Sequence, residues 1–139
     1  MTVRVERTFA FDAPPERIWA FIADPEKRAE AITVADSWER NGDETIWHIS
    51  LPIPLVDRTV AVRTRDIERV ENKRVRFTGR SSVMTVEGTH EINRADSTTH
   101  LSNRFVVNGK LPGVERFFER NLDAELDNLE RDLRRDIDG

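Results

Sequence analysis

The 139-residue sequence contains no cysteine, no tyrosine and no long apolar segment. Without cysteine, the chain can form no disulfide bond, no thiolate zinc site and no thiol nucleophile. No stretch approaches the roughly 18 uncharged apolar residues that a membrane-spanning helix requires. Residues 1–7 are charged where a secretory signal would have its apolar segment, so we expect a cytoplasmic protein.

The length of the chain is typical of a single domain, and its ordinary charge balance does not indicate a nucleic-acid partner. There are 26 acidic and 22 basic residues, which gives a net charge of −4. Six arginines between positions 63 and 80 form the densest basic run. A two-residue turn after this run would place Arg76 opposite Glu87, which predicts a solvated, salt-linked face.

The N-terminal part predicts one strand followed by two short helices. Apolar and polar side chains alternate over residues 2–11, as in a strand with one buried face. Prolines at 14 and 15 suit the first turn of a helix over 14–22, because their missing N–H would be unpaired there. Asp24 as N-cap and Pro25 in the first turn begin a second helix near 25–30.

From residue 31 to about 108 the apolar period is two, which predicts six further strands. Their predicted ranges are 32–40, 44–51, 58–70, 74–79, 83–93 and 98–108. Asn41-Gly42 is a strong hairpin signal, since both residues tolerate positive φ. In the 58–70 segment the apolar parity moves from Val60 and Val62 to Ile67, which predicts a one-residue bulge near 64–66.

A long amphipathic helix is predicted over residues 113–137. Its apolar side chains recur every three or four residues and form one continuous stripe. They are Val114, Phe118, Leu122, Leu126, Leu129, Leu133 and Ile137. Because only the inner face of a seven-stranded antiparallel sheet is large enough to take this stripe, we predict an α+β fold in which a curved sheet grips the helix. Space left between sheet and helix is a candidate ligand cavity.

The segment FDAPPERIWAFIADPEK, residues 11–27, resembles the entry into the two small helices of the START-like helix-grip superfamily (SRPBCC). This superfamily includes polyketide cyclases, lipid-transfer domains and plant allergen-like ligand binders. EGTHEI at 87–92 and VVNGKLPG at 106–113 are similar to its carbon monoxide dehydrogenase G branch. The resemblance implies a helix-grip fold and a single ligand-binding domain over residues 1–139, and it is compatible with enzymes and with pure binders.

The candidate ligand-binding residues lie on the inner parity of the predicted sheet and on the apolar stripe of the helix. The apolar members are Trp38, Trp47, Ile49, Val62, Phe77, Met84, Val86, Phe105, Phe118 and Leu122. This lining suits a lipid, quinone, polyketide or aromatic ligand, although each residue singly could be ordinary core. The polar members are His90 and Asn103, on neighbouring predicted strands. They either orient a carbonyl or hydroxyl of a ligand or hydrogen-bond each other.

Two unusually apolar loops are predicted to lie at the same end of the sheet, where the long helix begins. Their side chains Pro52, Ile53, Pro54, Leu55, Leu111 and Pro112 form a candidate pocket rim. Such a rim would suit the entry of a lipid-like ligand, or contact with a membrane surface or a partner protein. Alternatively, it folds inward and caps the core.

Three classes of function are compatible with these features. The first is a non-catalytic carrier or sensor of an apolar small molecule, which the apolar lining and the lack of a convergent acid–base set favour. The second is a polyketide cyclase or dehydratase with His90 as general acid or base and Asn103 polarising a carbonyl. The third is an interaction module, for instance of a redox complex. The three histidines show no metal-ligand spacing, so we expect no metal and no cofactor.

Overall fold

The described chain, which in this computed structural model comprises residues 2–52 and 59–139, contains one antiparallel sheet of seven strands. The strands are β1 (Thr2–Phe11), β2 (Ser37–Asn41), β3 (Glu44–Ile49), β4 (Val60–Val70), β5 (Arg74–Arg80), β6 (Met84–Ala95) and β7 (Thr98–Gly109). They are ordered β1-β7-β6-β5-β4-β3-β2. The helices are α1 (Pro15–Ile22), α2 (Pro25–Ala31) and α3 (Val114–Asp138). This topology confirms the predicted α+β helix-grip fold, with two short helices between the first two strands.

The two short helices begin where their prolines predict. α1 follows the extended Pro14 and has a proline in its first turn. The Asp24 side chain accepts hydrogen bonds from the backbone N–H groups of Glu26 and Lys27, and so caps α2. Arg28 lies one turn further along, and its N–H donates to the Asp24 carbonyl at 3.1 Å. The cap therefore fixes where α2 places Arg28 above the sheet.

Strand β2 is shorter than predicted, because it begins at Ser37 and not at residue 32. Between α2 and β2, Thr33 donates from its backbone N–H and from its Oγ1 to the Glu125 carboxylate of α3, at 2.8 Å in each case. The predicted start of this strand is wrong because the backbone here bonds a helix side chain and not a neighbouring strand. Glu125 is consequently buried on α3 without interrupting the fold.

The connection between β5 and β6 is a four-residue turn over 81–84, not the predicted two-residue turn. It closes through the Ser81 N–H, which donates to the Met84 carbonyl at 2.9 Å. The Ser81 Oγ accepts from the Met84 N–H at 3.2 Å, which stabilises the longer turn. The predicted register is therefore wrong by two residues: Arg76 pairs with Thr89 and not with Glu87.

Strand β4 contains a bulge at Ile67, next to its predicted position. The pairing with β5 shifts between Asp66, which lies opposite Phe77, and Glu68, which lies opposite Arg76. Ile67 is 51% exposed, so the interpretation that it returns to the inner face is wrong. The bulge leaves its extra apolar side chain outside, and the charged Asp66 occupies the inner face instead.

Helix α3 lies along the inner face of the sheet through its apolar stripe. Toward its C-terminal end, Leu126, Leu129 and Leu133 pack in a buried cluster with residues of β1 and α1. Toward its N-terminal end, Val114 and Phe118 pack in a second cluster with residues of β3, β4, β6 and β7. Both ends of the interface are filled, which confines open space to its middle.

None of the helices in the described part of the chain is long and apolar enough to cross a membrane.

Candidate functional site

A cavity of about 80 Å³ lies between α2, the middle of the sheet and α3. Its wall consists of Pro25, Arg28, Ile32, Arg40, Thr45, Trp47, Thr64, Arg65, Asp66, Phe77, His90, Phe105 and Leu129. The volume is well below the roughly 300–1,000 Å³ that is usual for sites of drug-sized ligands. It is sufficient for ordered water or for one small ring.

Aromatic rings from three adjacent strands form one side of the cavity. Phe77 of β5 and His90 of β6 are stacked with their centroids 6.1 Å apart, and Phe105 of β7 packs edge-on against His90 at 5.6 Å. Gly88 makes this arrangement possible, because a Cβ at that position would overlap the Phe77 ring and lie 3.0 Å from Phe105. The result is an apolar wall against which a planar ligand group can pack.

A buried ion pair belongs to the same cavity. The Arg28 Nη2 donates to both carboxylate oxygens of Asp66, at 2.9 and 2.8 Å, and the Arg69 Nη1 donates to Asp66 Oδ2 at 2.7 Å. The side chains of Arg28 and Asp66 are only 12% and 15% exposed. Burial lowers the pKa of Arg28 against the attraction of Asp66, but a guanidinium group stays protonated at physiological pH. The cavity therefore holds a fixed positive charge together with its counter-ion.

One donor of this ion pair is unused. The Arg28 Nε is buried and has no hydrogen-bond partner among the residues that the structure describes. Within residues 2–52 and 59–139, it is the one side-chain nitrogen or oxygen that has no partner and is itself almost completely inaccessible. An unsatisfied buried donor costs about 1–3 kcal/mol, so we expect water or a ligand in the cavity to accept from it.

His90 is a neutral imidazole held in place by Asn103. The residue is 2% exposed, and its Nδ1 lies 2.7 Å from Asn103 Oδ1. The Asn103 Nδ2 donates to the carbonyls of Arg7 and Leu101, which leaves Oδ1 as the acceptor and places the proton on His90 Nδ1. Burial, and then the charge of Arg28, lower the pKa of His90 to about 4. The hydrogen bond between His90 and Asn103 is therefore present, as one of the two alternatives from the sequence predicted. It leaves the Nε2 of His90 as an acceptor.

The sequence also matches a known family over nearly its whole length. The family described as polyketide cyclase / dehydrase and lipid transport matches residues 2–134. The chain belongs to this family. No curated protein matches the chain.

Solved structures share the fold of this polyketide cyclase / dehydrase and lipid-transport family member. The Zhui aromatase/cyclase from Streptomyces sp. R1128 is 15% identical, with a TM-score of 0.71 over 99% of this chain and 96% of that one. A START superfamily protein from Mycobacterium smegmatis is 16% identical, with a TM-score of 0.66 over 94% and 93%. A conserved protein from Geobacillus kaustophilus is 14% identical, with a TM-score of 0.72 over 97% and 95%. At these identities the likeness shows the fold alone, and it does not confirm the carbon monoxide dehydrogenase G branch.

In this member of the family, some of the predicted ligand-binding residues line the cavity, namely Trp47, Phe77, His90 and Phe105. Asn103 lies behind His90, and Trp38 pairs with Trp47 on the edge strand without lining the cavity. The others pack in or against the cluster around the start of α3, namely Ile49, Val62, Met84, Val86, Phe118 and Leu122. Contact of any of these residues with a ligand stays a prediction.

The described part of the predicted pocket rim does not line the cavity. Pro52, Leu111 and Pro112 are exposed, and the cavity wall includes none of them. Their neighbours Leu51 and Val114 are buried in the second core cluster. Ile53, Pro54 and Leu55 fall outside the described residues. A role of these loops at a membrane or a partner protein stays a prediction.

The charged residues of the site were not predicted from the sequence. The position of Asp66 could have been predicted, because every second residue of β4 faces inward before the bulge. These residues are Val60, Val62, Thr64 and Asp66. Arg28 gives no comparable signal, because α2 has only seven residues and its buried face consists of alanines.

Proposed function

We propose that the chain is a single ligand-binding domain over residues 1–139 that binds a small, largely apolar molecule in the cavity without transforming it. The observation that carries this proposal is the unpartnered Arg28 Nε in a wall of aromatic rings. A ring of the ligand packs against Phe77 and Phe105, and an acceptor atom on it meets the Arg28 N–H. Apolar walls with a few polar groups that orient the ligand are typical of small-molecule sites. The family description, which includes lipid transport, supports a carrier.

The size of the cavity narrows the choice of ligand. About 80 Å³ accommodates one ring or one headgroup, but not a whole lipid, a quinone with its tail or a polyketide chain. A longer ligand requires side chains of the wall to move outward, and the half-buried Ile32 is the wall residue that we expect to move. Among the apolar ligands expected from the sequence, a compact molecule with a ring therefore fits best.

Titration of the ¹⁵N-labelled full chain with toluene tests this proposal. Trp47 lines the cavity and its Nε1 donates to Thr64, so its indole resonance should shift in a saturable way. The indole resonance of Trp19, which contacts Arg69 and is not part of the cavity wall, should not shift.

A matched pair of variants controls this titration. Ile32→Phe enlarges a side chain of the cavity wall and should weaken binding, whereas Ile67→Phe enlarges an exposed side chain of the bulge and should not. If neither toluene nor phenol produces a saturable shift of the Trp47 resonance, the proposal is wrong.

A cyclase or dehydratase activity is the second candidate, because His90 presents an imidazole to the cavity. A general base is most effective when its pKa is near the working pH. With a pKa of about 4, His90 is neutral at pH 7 but a weak base, which favours binding over catalysis. Turnover of a model polyketide that disappears in His90→Ala would support a catalytic role, and unchanged turnover would exclude His90 as the catalytic residue.

A further inference from the structure

We propose that the ligand of this cavity carries a hydroxyl group on a ring, as in a neutral phenol or enol, and that two atoms of the protein recognise this hydroxyl at once. The hydroxyl oxygen accepts from Arg28 Nε, and the hydroxyl hydrogen is donated to His90 Nε2. The inference rests on the proposed function and deepens it, because it names the chemical class of the ligand.

The first recognition atom, Arg28 Nε, can only donate. The Arg28 Nη2 already contacts both carboxylate oxygens of Asp66, so the ion pair is complete without Nε. Although Nε is buried, no group among the described residues accepts from it. Because Arg28 belongs to the cavity wall, we infer that an acceptor atom of the ligand is the partner of Nε.

The second recognition atom, His90 Nε2, can only accept. Asn103 holds the proton on Nδ1, at the opposite side of the imidazole ring. From residues 2–52 and 59–139, no hydrogen bond reaches Nε2, and His90 belongs to the cavity wall. Burial and the charge of Arg28 both oppose a second proton, so the Nε2 lone pair persists at neutral pH. The ligand must therefore also offer a donor.

Other polar groups of the cavity wall are already engaged. The Trp47 Nε1 donates to Thr64 Oγ1 at 2.9 Å, and the Arg40 Nη1 donates to Thr45 Oγ1 at 2.7 Å. Both oxygens of the Asp66 carboxylate accept from arginine. Arg65 also belongs to the wall, but it is exposed and solvent can satisfy its guanidinium group. The Arg28 donor and the His90 acceptor are therefore the buried pair that we expect a ligand to satisfy.

A hydroxyl is the smallest ligand group that satisfies both atoms, because it donates once and accepts as well. An ether or a ketone has no hydrogen for His90. A carboxylate places a lone pair against the lone pair of His90, and Asp66 already supplies the negative charge that Arg28 needs. Water satisfies the same two atoms, but a ring that bears the hydroxyl adds contact with Phe77 and Phe105.

The test compares four ring compounds on the full chain at pH 7: phenol, anisole, toluene and benzoate. The indole N–H resonance of Trp47 in the cavity wall reports the dissociation constant of each compound. We expect phenol to bind about ten-fold more tightly than anisole, which lacks the hydrogen for His90 and thereby one net buried hydrogen bond. Toluene lacks both polar contacts and should bind more weakly than anisole, and benzoate should bind most weakly.

Three variants separate the two recognition atoms from their surroundings. Arg28→Lys keeps a positive charge beside Asp66 but removes Nε, and His90→Phe keeps a ring but removes Nε2. Each should reduce the preference for phenol over toluene by about ten-fold, because each removes one of the two hydrogen bonds, and this ratio cancels any effect of the variant on toluene itself. Arg69→Lys is the matched control, since Arg69 contacts the same carboxylate but does not line the cavity, and it should keep the preference.

The outcomes distinguish this inference from the proposed function. Equal affinity for phenol and toluene, or benzoate as the tightest ligand, would overturn recognition by the two atoms and leave the cavity as a binding site. Absence of binding by all four compounds would overturn the proposed function as well. Where a variant does not fold, the order of the four compounds on the unaltered chain still decides. Imidazole ¹⁵N shifts that place the proton of His90 on Nε2 would independently overturn the assigned acceptor.

Discussion

Removal of the Asp66 carboxylate should strongly destabilise the fold. Asp66 accepts three hydrogen bonds at 2.7–2.9 Å, two from Arg28 and one from Arg69. Because the Arg28 and Asp66 side chains are 12% and 15% exposed, water cannot fully replace the carboxylate. An uncompensated buried charge costs about 3–5 kcal/mol, which is the loss that we expect for Asp66→Ala. Asp66→Asn keeps an acceptor oxygen and should lose less, about 1.5–3 kcal/mol.

An exposed ion pair of similar geometry provides the control. Asp127 of α3 accepts from Arg7 at 2.6 Å, but the Asp127 side chain is 66% exposed. Exposed ion pairs contribute less than about 1 kcal/mol, so Asp127→Ala should change the stability little. Urea unfolding at pH 7, followed by tryptophan fluorescence, gives the free energy of unfolding of each variant. Equal m-values would show that the variants unfold from equally compact states.

The comparison of these two variants can refute the description of the cavity. If Asp66→Ala loses less than about 1 kcal/mol, as expected for Asp127→Ala, then water reaches the Arg28 guanidinium. The Nε of Arg28 would then be hydrated by bulk solvent, and it would not require an acceptor from a ligand.

Changes at three other buried positions test the surroundings of the cavity. Gly88→Ala should lower the free energy of unfolding by about 1–3 kcal/mol, because the added Cβ overlaps the Phe77 ring and pushes it into the cavity. Thermal unfolding measures the loss of stability, and toluene titration measures the loss of binding. Unchanged binding of toluene would contradict the contact between Gly88 and Phe77. Folding lowers the pKa of His90 from 6.5 to about 4, so between these pH values the unfolded chain binds more protons than the folded chain. The free energy of unfolding should therefore fall by about 3 kcal/mol as the pH drops from 6.5 to 4. The difference in unfolding free energy between the unaltered chain and His90→Phe should change over this pH range, and a constant difference would disprove the shift. Glu125→Ala removes the two carboxylate oxygens that accept from Thr33 and should lower the free energy of unfolding by about 1–3 kcal/mol. The Thr33 amide should then exchange its hydrogen faster. An unchanged exchange rate would contradict the hydrogen bond from Thr33 to Glu125.

The fold could be predicted because each element is specified locally. The alternation over 2–11, the cap at Asp24 and the apolar stripe of α3 each indicate one element from its own residues. Register is not local in this sense. The length of the turn between β5 and β6 depends on hydrogen bonds to Ser81 Oγ and on the burial of Val83, and neither follows from alternation.

The candidate site was visible only in part for a related reason. Phe77, His90 and Phe105 share the inner parity of their strands, so their common face could be predicted. Strand parity does not give the distance between the inner face of the sheet and α3. Met84 and Phe118 were also predicted to bind a ligand, but they lie in the closely packed cluster around the start of α3. Arg28 comes from α2, whose place above the sheet depends on contacts that are distant in sequence.

The extra residue at Ile67 also determines how charge is distributed along β4. On a regular strand, side chains three positions apart point to opposite faces, so Asp66 and Arg69 could not meet. With the insertion, Arg69 falls opposite the buried Val75, and its guanidinium reaches back to Asp66. The carboxylate is thereby held between one cation from a helix and another from its own strand. Deletion of Ile67 would make Asp66 and Arg69 alternate residues of a regular strand on the same face, so Asp66 would keep both of its cations without the bulge.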